Sequence, residues 1–354
     1  MQVWQSFLNG YFGKSGARRV PQVDSLRGVA ALLIFFVHYY ALMGHWFVAG
    51  STPASFAGML ESIAHSGTDL FFTLSGYLIY GSLMRRKQQI GPYLLRRFGR
   101  IYPTFLFVVG GYLLIFAIDP ADSKLPSDSV DAALYVLANL LLLPGILEIE
   151  PIVAPAWSLS YLAVYYIAAP LMVYGLNLRQ WRGTQRVALF VLLAAMLLLS
   201  GAIYHGPVRM AMFIGGMLLY ELHSRAPTGR PRLGLALFAA AALVMATITA
   251  LGIPPVIRYL ALLILLPAAC GAFLQASIDR GWLSWNWLRY LGRITLSYIM
   301  VHGLALHVFL YGVEHAAPPS WQGATLFWAL VLPAFIFSAA TAAILYILVE
   351  DPAA

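Results

Sequence analysis

Stretches of about 20 predominantly apolar residues, the length that crosses a bilayer as a helix, recur along almost the entire chain. Ten such stretches begin near residues 28, 66, 101, 156, 187, 208, 233, 256, 294 and 323. Apolar residues make up 61% of the 354 positions and charged residues only 10%, which excludes an ordinary soluble domain. Because backbone polar groups in a bilayer must bond internally, we predict an all-α, polytopic transmembrane helix bundle of about ten spans.

The distribution of basic residues predicts the orientation of these spans, because cytoplasmic loops of membrane proteins are enriched in Lys and Arg. Basic residues precede the first span, whereas the next loop, residues 44–67, contains neither Lys nor Arg. We therefore expect both termini to be cytoplasmic, with residues 1–22 forming a cytoplasmic or interfacial N-terminal segment. In this scheme Arg209 and Arg258 are exceptions that lie on the outer side.

Residues 133–147 do not fit a further span. The segment is short, and Pro144 and Gly145 interrupt it, so we predict a re-entrant or interfacial element that is covered by protein. No internal repeat, linker or low-complexity stretch divides the chain. We expect residues 1–354 to form a single integral-membrane domain.

Charge and cysteine content disfavour two other kinds of function. The net charge of +8 comes from residues at the ends of apolar runs rather than from one basic patch, so we expect no nucleic-acid partner. The single cysteine, Cys270, rules out a disulfide framework and a thiolate metal cluster. The histidines form no zinc motif either, so no metal is expected.

Arg27 and His38 both lie in the first apolar stretch, where ionisable side chains are costly and often functional. Their separation of eleven positions corresponds on a helix to about three turns and roughly 16 Å, so the two side chains share one face. His38 is then a mid-membrane general base, or a core histidine that bonds to a neighbouring helix. Asp69 could orient this imidazole. Ser75 is a weaker candidate nucleophile that could equally bond to a backbone carbonyl.

Three arginines, Arg96, Arg97 and Arg100, lie at the cytoplasmic entrance of the third stretch. Arg97 and Arg100 would be neighbours on a helix, so their forked donors could bind a phosphate or diphosphate group. The simpler interpretation is the positive flank that many spans carry. His302 adds a second histidine at mid-membrane depth, which again favours a functional site.

Seven segments together resemble the membrane-bound acyltransferase-3 family, whose members are integral-membrane O-acyltransferases that act on carbohydrates. In chain order they read DSLRGVAALLIFFVH, GTDLFFTLSGYLI, LLRRFGRIYP, AWSLSYLAVYYIAAPL, MFIGGMLL, YLGRITLSYIMVH and VEDP. The resemblance covers nearly the whole chain. It implies that an acyl group, most often acetyl, passes from cytoplasmic acyl-CoA to a hydroxyl of a cell-surface or exported carbohydrate, across the bacterial inner membrane.

The resemblance also implies roles for individual residues. The positions that match the family's motifs are Arg27, His38, Asp69, Arg97, Arg100 and His302. We accordingly expect Arg27, His38 and Asp69 to be catalytic and Arg96, Arg97 and Arg100 to bind CoA. The candidates for acceptor contact or for a relay are Ser75, Trp157 and His302.

One position departs from the family pattern. A glutamate commonly follows the Trp-Ser-Leu motif at the position of Leu162 in this chain, and Glu148 or Glu150 could replace it. The expected partners are acyl-CoA, a free or lipid-linked glycan acceptor and the lipid bilayer, with a second copy of the chain or glycan-assembly proteins as further candidates. The alternative function is a secondary transporter or flippase of an anionic or sugar substrate, but the chain lacks two halves of matching pattern.

Overall fold

The structure, a computed structural model, is a bundle of α-helices. It describes residues 21–118, 123–204, 207–223, 231–274 and 285–350. Within these ranges no β-strand is formed, so the predicted all-α class is confirmed. The N-terminal segment predicted over residues 1–22 lies outside the described residues except for its last two positions, which begin the first helix.

The α-helices follow one another with short connections. In chain order they are α1 (Pro21–Met43), α2 (Thr52–Ala64), α3 (Ser66–Arg85), α4 (Ile90–Ile118), α5 (Ser129–Leu140), α6 (Ala156–Gly175), α7 (Gly183–Tyr204), α8 (Ala211–His223), α9 (Pro231–Ala250), α10 (Pro255–Leu274), α11 (Asn286–Arg293), α12 (Thr295–Ala316) and α13 (Ala324–Leu345). A π-helical turn, Tyr346–Glu350, continues α13.

Eight helices of the described residues are long and apolar enough to cross a membrane. They are α1, α4, α6, α7, α9, α10, α12 and α13. Large apolar side chains such as Leu114, Leu199 and Leu243 are exposed on their outer surfaces, as expected where a helix faces lipid rather than water. The chain is therefore a multi-pass membrane protein.

Helices α3 and α8 occupy the other two predicted spans. α3 has 20 residues, most of them buried, and includes several polar side chains. α8 has 13 residues and ends at the last residue described before position 231. A count of ten spans and the cytoplasmic position of both termini remain predictions.

The segment predicted to be re-entrant or interfacial is a short helix followed by an irregular turn. The prediction that protein covers it is wrong, because Leu134, Leu137 and Leu141 are at least half exposed. α5 ends at Leu140, so the helix stops before the predicted break at Pro144. The side-chain oxygen of Asn139 accepts a hydrogen bond from the backbone N–H of Ile152 at 2.8 Å, which ties the turn back to the end of α5. Gly145 adopts a φ of +86°, a conformation that glycine tolerates best.

Helix α1 lies near the centre of the bundle and packs against α2, α3, α11 and α12. Two glycines bring α11 close to its N-terminal half. A Cβ on Gly28 would lie 2.2 Å from the carbonyl oxygen of Leu288, and a Cβ on Gly292 only 1.7 Å from that of Asp24. Small residues permit such close backbone contacts between membrane helices.

Helix α3 is in close contact with α1 on one side and with α8 on the other. A Cβ on Gly67 would lie 2.8 Å from the carbonyl oxygen of Ala30 in α1. At the other contact, a Cβ on Gly216 of α8 would lie 2.0 Å from the carbonyl oxygen of Thr73. α3 therefore separates α1 from α8.

We expect Gly216→Ala to lower the thermal unfolding temperature, because the added methyl group would overlap the Thr73 carbonyl. Overpacking of this kind costs about 1–3 kcal/mol or more. The buried Cys270, the only cysteine of the chain, provides the measurement, since a thiol-reactive dye reaches it only on unfolding. Gly110→Ala is the matched control, because no atom lies within 4 Å of the added methyl group. Equal unfolding temperatures for Gly216→Ala and the wild type would contradict the close α3–α8 contact.

Candidate active site

Two histidines meet in the interior of the bundle, one from α1 and one from α12. The ring centroids of His38 and His302 lie 4.8 Å apart, and the ring planes cross at 73°. The packing of α1 against α12 places these two mid-helix side chains side by side. The sequence predicted each histidine separately, and the structure joins them in one pair.

Hydrogen bonds fix the orientation of His302. Its Nδ1 lies 2.9 Å from the carbonyl oxygen of Tyr298 and 3.0 Å from that of Ile299. Because carbonyl oxygens only accept hydrogen bonds, Nδ1 must carry a proton, and in the neutral ring Nε2 then presents a lone pair. Nε2 is buried without a hydrogen-bond partner, and the Tyr298 ring stacks on the imidazole at 5.3 Å. The pair therefore contains one preoriented basic nitrogen.

His38 is partly exposed, whereas its partner His302 is fully buried. Contact with this fully buried ring places one side of the His38 imidazole inside the bundle. His65 and His307 also lie close enough to His38 to interact with it electrostatically. The Nε2 atom of His65 lies 2.5 Å from Oε1 of Glu61. The sequence analysis did not identify this Glu61–His65 pair, although side chains four residues apart are neighbours on a helix and can form an ion pair.

The predicted contact between Asp69 and His38 is wrong. α3 presents Gly67 to α1, and Asp69, two positions later, lies about 200° further around the helix. Asp69 therefore points to the side of α3 that packs on α8. There its Oδ1 lies 3.7 Å from Nε of Arg209, and neither carboxylate oxygen accepts a hydrogen bond. Asp69 belongs to a different polar cluster and does not orient the imidazole.

Two other candidates, Ser75 and Trp157, are not in contact with the histidine pair. Ser75 is buried within α3, and in the part of the chain that the structure describes no hydrogen bond joins it to either histidine. Trp157 lies on the Asp69 side, where the guanidinium of Arg209 is 5.3 Å from its ring centroid. A role for Trp157 in acceptor binding stays a prediction, now attached to this second cluster.

Arginines from α1 and α4 converge at another position. Arg97 and Arg100 lie close enough to Arg27 to repel it electrostatically. The Nε atom of Arg27 is buried without a hydrogen-bond partner. The guanidinium of Arg97 lies over two aromatic rings, 5.4 Å from the centroid of Tyr93 and 5.6 Å from that of Tyr166. We call Arg27, Arg97 and Arg100 the Arg27 cluster, which concentrates positive charge where an anion would be stabilised.

Arg96 and Arg100 differ in their surroundings. Arg96 is exposed and donates to Oε1 of Gln88 at 2.9 Å, so it lies at the rim and not in the Arg27 cluster. Arg100 forms an ion pair with Glu350, with an Nη2–Oε1 distance of 3.3 Å. The other oxygen of Glu350 accepts a hydrogen bond from Ser297 at 2.8 Å. The C-terminal turn therefore contacts the Arg27 cluster directly.

The Arg27 cluster and the histidine pair are connected by one continuous helix. Arg27 and His38 both lie on α1, and their separation of eleven residues corresponds to roughly 16 Å. Such an arrangement can hold a polyanionic group at one position and remove a proton from a hydroxyl at the other.

Leu162 and the two proposed substitutes for the missing family glutamate differ in their surroundings. Leu162 is buried inside α6. Glu148 and Glu150 are exposed on the preceding loop, where Glu150 forms an ion pair with Lys124 at 2.7 Å. A role of either carboxylate in place of the missing glutamate stays a prediction.

Comparison with known protein families gives one match. Residues 20–347 match the acyltransferase-3 family model, which is described as an acyltransferase domain. The matched range includes both histidines and the whole Arg27 cluster. Searches among curated proteins and among solved structures give no match.

The position of Asp69 generates a prediction about its energetic partner. Removing one member of a buried ion pair costs about 3–5 kcal/mol, and we expect about 2–3 kcal/mol for Asp69→Asn because the Arg209 side chain is 18% exposed. Denaturation by sodium dodecyl sulfate would measure the free energy of unfolding. In double-mutant cycles, Asp69→Asn should couple to Arg209→Met and be additive with His38→Ala. If Asp69→Asn coupled to His38→Ala instead, the result would support a contact between Asp69 and His38 and contradict the pairing of Asp69 with Arg209.

Proposed function

The chain belongs to the acyltransferase-3 family and carries an acyltransferase domain, and we propose that it transfers an acyl group from acyl-CoA to a hydroxyl of a cell-surface or exported carbohydrate. Acetyl-CoA is the donor of first choice. The observation that carries this proposal is the His38–His302 pair, which one helix connects to the Arg27 cluster. We place the protein in the bacterial inner membrane, with the donor on the cytoplasmic side.

The Arg27 cluster is the proposed binding site for the phosphates of CoA. Arg97 and Arg100 both interact unfavourably with the buried Arg27, so a diphosphate bound at the cluster would offset this repulsion and add charge-assisted hydrogen bonds. Arg96, at the rim, extends the positive surface. From this site the acyl-pantetheine arm follows α1 over roughly 16 Å to His38.

His38 is the proposed general base. It takes the proton of the acceptor hydroxyl as the hydroxyl oxygen attacks the thioester carbonyl carbon. The carbon–sulfur bond then breaks, and the proton on the imidazolium passes to the departing CoA thiolate. The products are an ester and free CoA, and no oxidation or reduction is involved.

His302 is the proposed positioning residue for His38, in place of Asp69. The centroids of the two rings are 4.8 Å apart and Nε2 of His302 has no hydrogen-bond partner, so its lone pair is available to accept the N–H of His38 and to favour the imidazolium form. The backbone carbonyls that bind Nδ1 keep this lone pair in place. We favour direct transfer over an acyl-enzyme on Ser75. Among the described residues, neither histidine forms the hydrogen bond to the Ser75 hydroxyl that would activate it as a nucleophile.

We expect His38→Ala to reduce acyl-CoA turnover by about 10²–10⁴-fold, the usual contribution of a general base, without changing CoA affinity. Arg97→Ala should instead raise the Kd for CoA about tenfold or more, because hydrogen bonds between charged groups contribute about 1.5–3 kcal/mol. Thioester cleavage and calorimetric CoA binding by the purified protein separate the two effects. Arg179→Ala, an exposed arginine in a turn, is the control. A wild-type protein that neither binds nor cleaves acyl-CoA would favour the transporter or flippase alternative.

Two substitutions at His302 separate positioning from packing. In His302→Asn the side-chain amide can still donate to the Tyr298 carbonyl, but nothing replaces Nε2. We expect a near-native unfolding temperature and about a tenfold or greater loss of kcat. His302→Gln, whose amide oxygen can reach the position of Nε2, should retain more activity. Equal kcat values for the two variants, with unchanged CoA affinity, would contradict the positioning role.

A further inference from the structure

A second arginine cluster lies on the face of α3 that is turned away from α1. Its members come from the first turns of three helices and from the turn that precedes α8. We call it the Arg209–Arg258 cluster, and it consists of Asp69, Trp157, Arg209, Arg258 and Tyr259. The proposed reaction does not use these residues.

Both arginines of the cluster donate to a single phenol oxygen. Nε of Arg209 lies 2.9 Å and Nη2 of Arg258 lies 3.1 Å from the hydroxyl oxygen of Tyr259. Nε of Arg258 is buried and has no hydrogen-bond partner. Among the described residues, the two guanidinium groups thus share one neutral acceptor, and Nε of Arg258 remains available as a donor.

The charges of the cluster do not balance. Asp69 lies 3.7 Å from Arg209, and within the described ranges no carboxylate lies at ion-pair distance from Arg258. The cluster therefore has two positive charges and one negative charge in a largely buried setting. An unpaired charge in such surroundings is strongly unfavourable, so the cluster favours a further anion.

Helix ends add to this positive potential. Asp69, Trp157 and Arg258 lie in the first turns of α3, α6 and α10, and Arg209 directly precedes α8. Four helix N-termini therefore converge on the cluster. The partial positive charge at each N-terminus stabilises a nearby anion.

Contacts along α6 give the height of the cluster in the bundle. Arg209 lies over Trp157 and Arg97 lies over Tyr166, so the two arginine clusters are nine residues, or roughly 14 Å, apart along this helix. α3 runs parallel to α6, since Phe72 contacts Trp157 and Gly76 contacts Tyr165.

Contacts with α3 also relate positions along α1 to positions along α6, because α1 runs antiparallel to α3. Gly67 lies against Ile34, and Phe71 lies against Arg27. α1 and α6 are therefore antiparallel, and both His38 and the Arg209–Arg258 cluster lie in the same direction from the Arg27 cluster, at roughly 16 and 14 Å. The second arginine cluster is thus at about the height of the proposed base and distant from the donor phosphates.

We infer that the Arg209–Arg258 cluster binds an anionic group, a carboxylate or a phosphate, on the acceptor carbohydrate. This inference rests on the proposed acyl transfer. Arg258 supplies the uncompensated charge, and Asp69 holds Arg209 in place. Trp157 and Tyr259 provide aromatic surface next to the charge, which suits a sugar ring that carries an acidic substituent.

Binding of three sugars to the purified full chain tests the inference. The probes are D-glucuronate, D-glucose 1-phosphate and the neutral D-glucose, and the measurement is the Kd by calorimetry. We expect at least one anionic sugar to bind about tenfold or more tightly than glucose, because charge-assisted hydrogen bonds are about twice as strong as neutral ones. The sugar that binds more tightly identifies the acidic group as carboxylate or phosphate.

Arg258→Gln should abolish the preference for anionic sugars, whereas Lys124→Gln, at an exposed lysine that already pairs with Glu150, should leave it unchanged. If Arg258→Gln fails to fold in the thiol-dye assay, Arg258→Lys replaces it, and loss of the forked donor pair should still weaken binding severalfold. Equal affinity for all three sugars, or a preference that survives substitution of Arg258, would overturn the inference.

An additional binding measurement with CoA distinguishes failure of this inference from failure of the proposed function. CoA should bind the wild type and Arg258→Gln equally, and it should not displace an anionic sugar. Displacement would assign the cluster to the donor and overturn the inference. Absence of thioester cleavage, by contrast, would contradict the proposed acyl transfer while sugar binding could still be measured.

Discussion

Glycines hold α3 against two neighbouring helices at once, and this double contact organises the interior of the bundle. Gly67 lies against α1, and Gly216 of α8 lies against the backbone of α3 at Thr73. A helix backbone with its side chains is about 10 Å wide, which keeps Asp69 away from the histidine pair. His65, which directly precedes α3, interacts electrostatically with both His38 and Asp69.

Polar atoms without partners concentrate at these sites. His302 Nε2, Arg27 Nε, Arg258 Nε and both oxygens of Asp69 are buried without hydrogen bonds. Buried polar groups in folded proteins are normally satisfied, since leaving one unpaired costs about 1–3 kcal/mol. Under the proposed function, bound acyl-CoA and an anionic acceptor would supply partners for the unpaired nitrogen atoms of the arginines.

The sequence predicted much of this arrangement and failed at a specific point. The lengths of the apolar stretches indicated the helices, and the cost of ionisable groups in a bilayer singled out His38 and His302. The partner of Asp69 was not predictable, because it depends on which face of α3 packs on which neighbour. Arg209 and Arg258 were the exceptions in the predicted charge distribution, and the structure brings both of them to the hydroxyl of Tyr259.

The ion pair between Arg100 and Glu350 places the last helical turn in competition with any ligand of the Arg27 cluster. Arg100 is 48% exposed, whereas Glu350 is only 7% exposed, and the two lie 3.3 Å apart. In the proposed reaction a diphosphate would compete with Glu350 for this guanidinium, and Glu350 would keep Ser297 as its partner. Occupation of the Arg27 cluster by the donor would therefore be linked to the position of the turn that ends at Glu350.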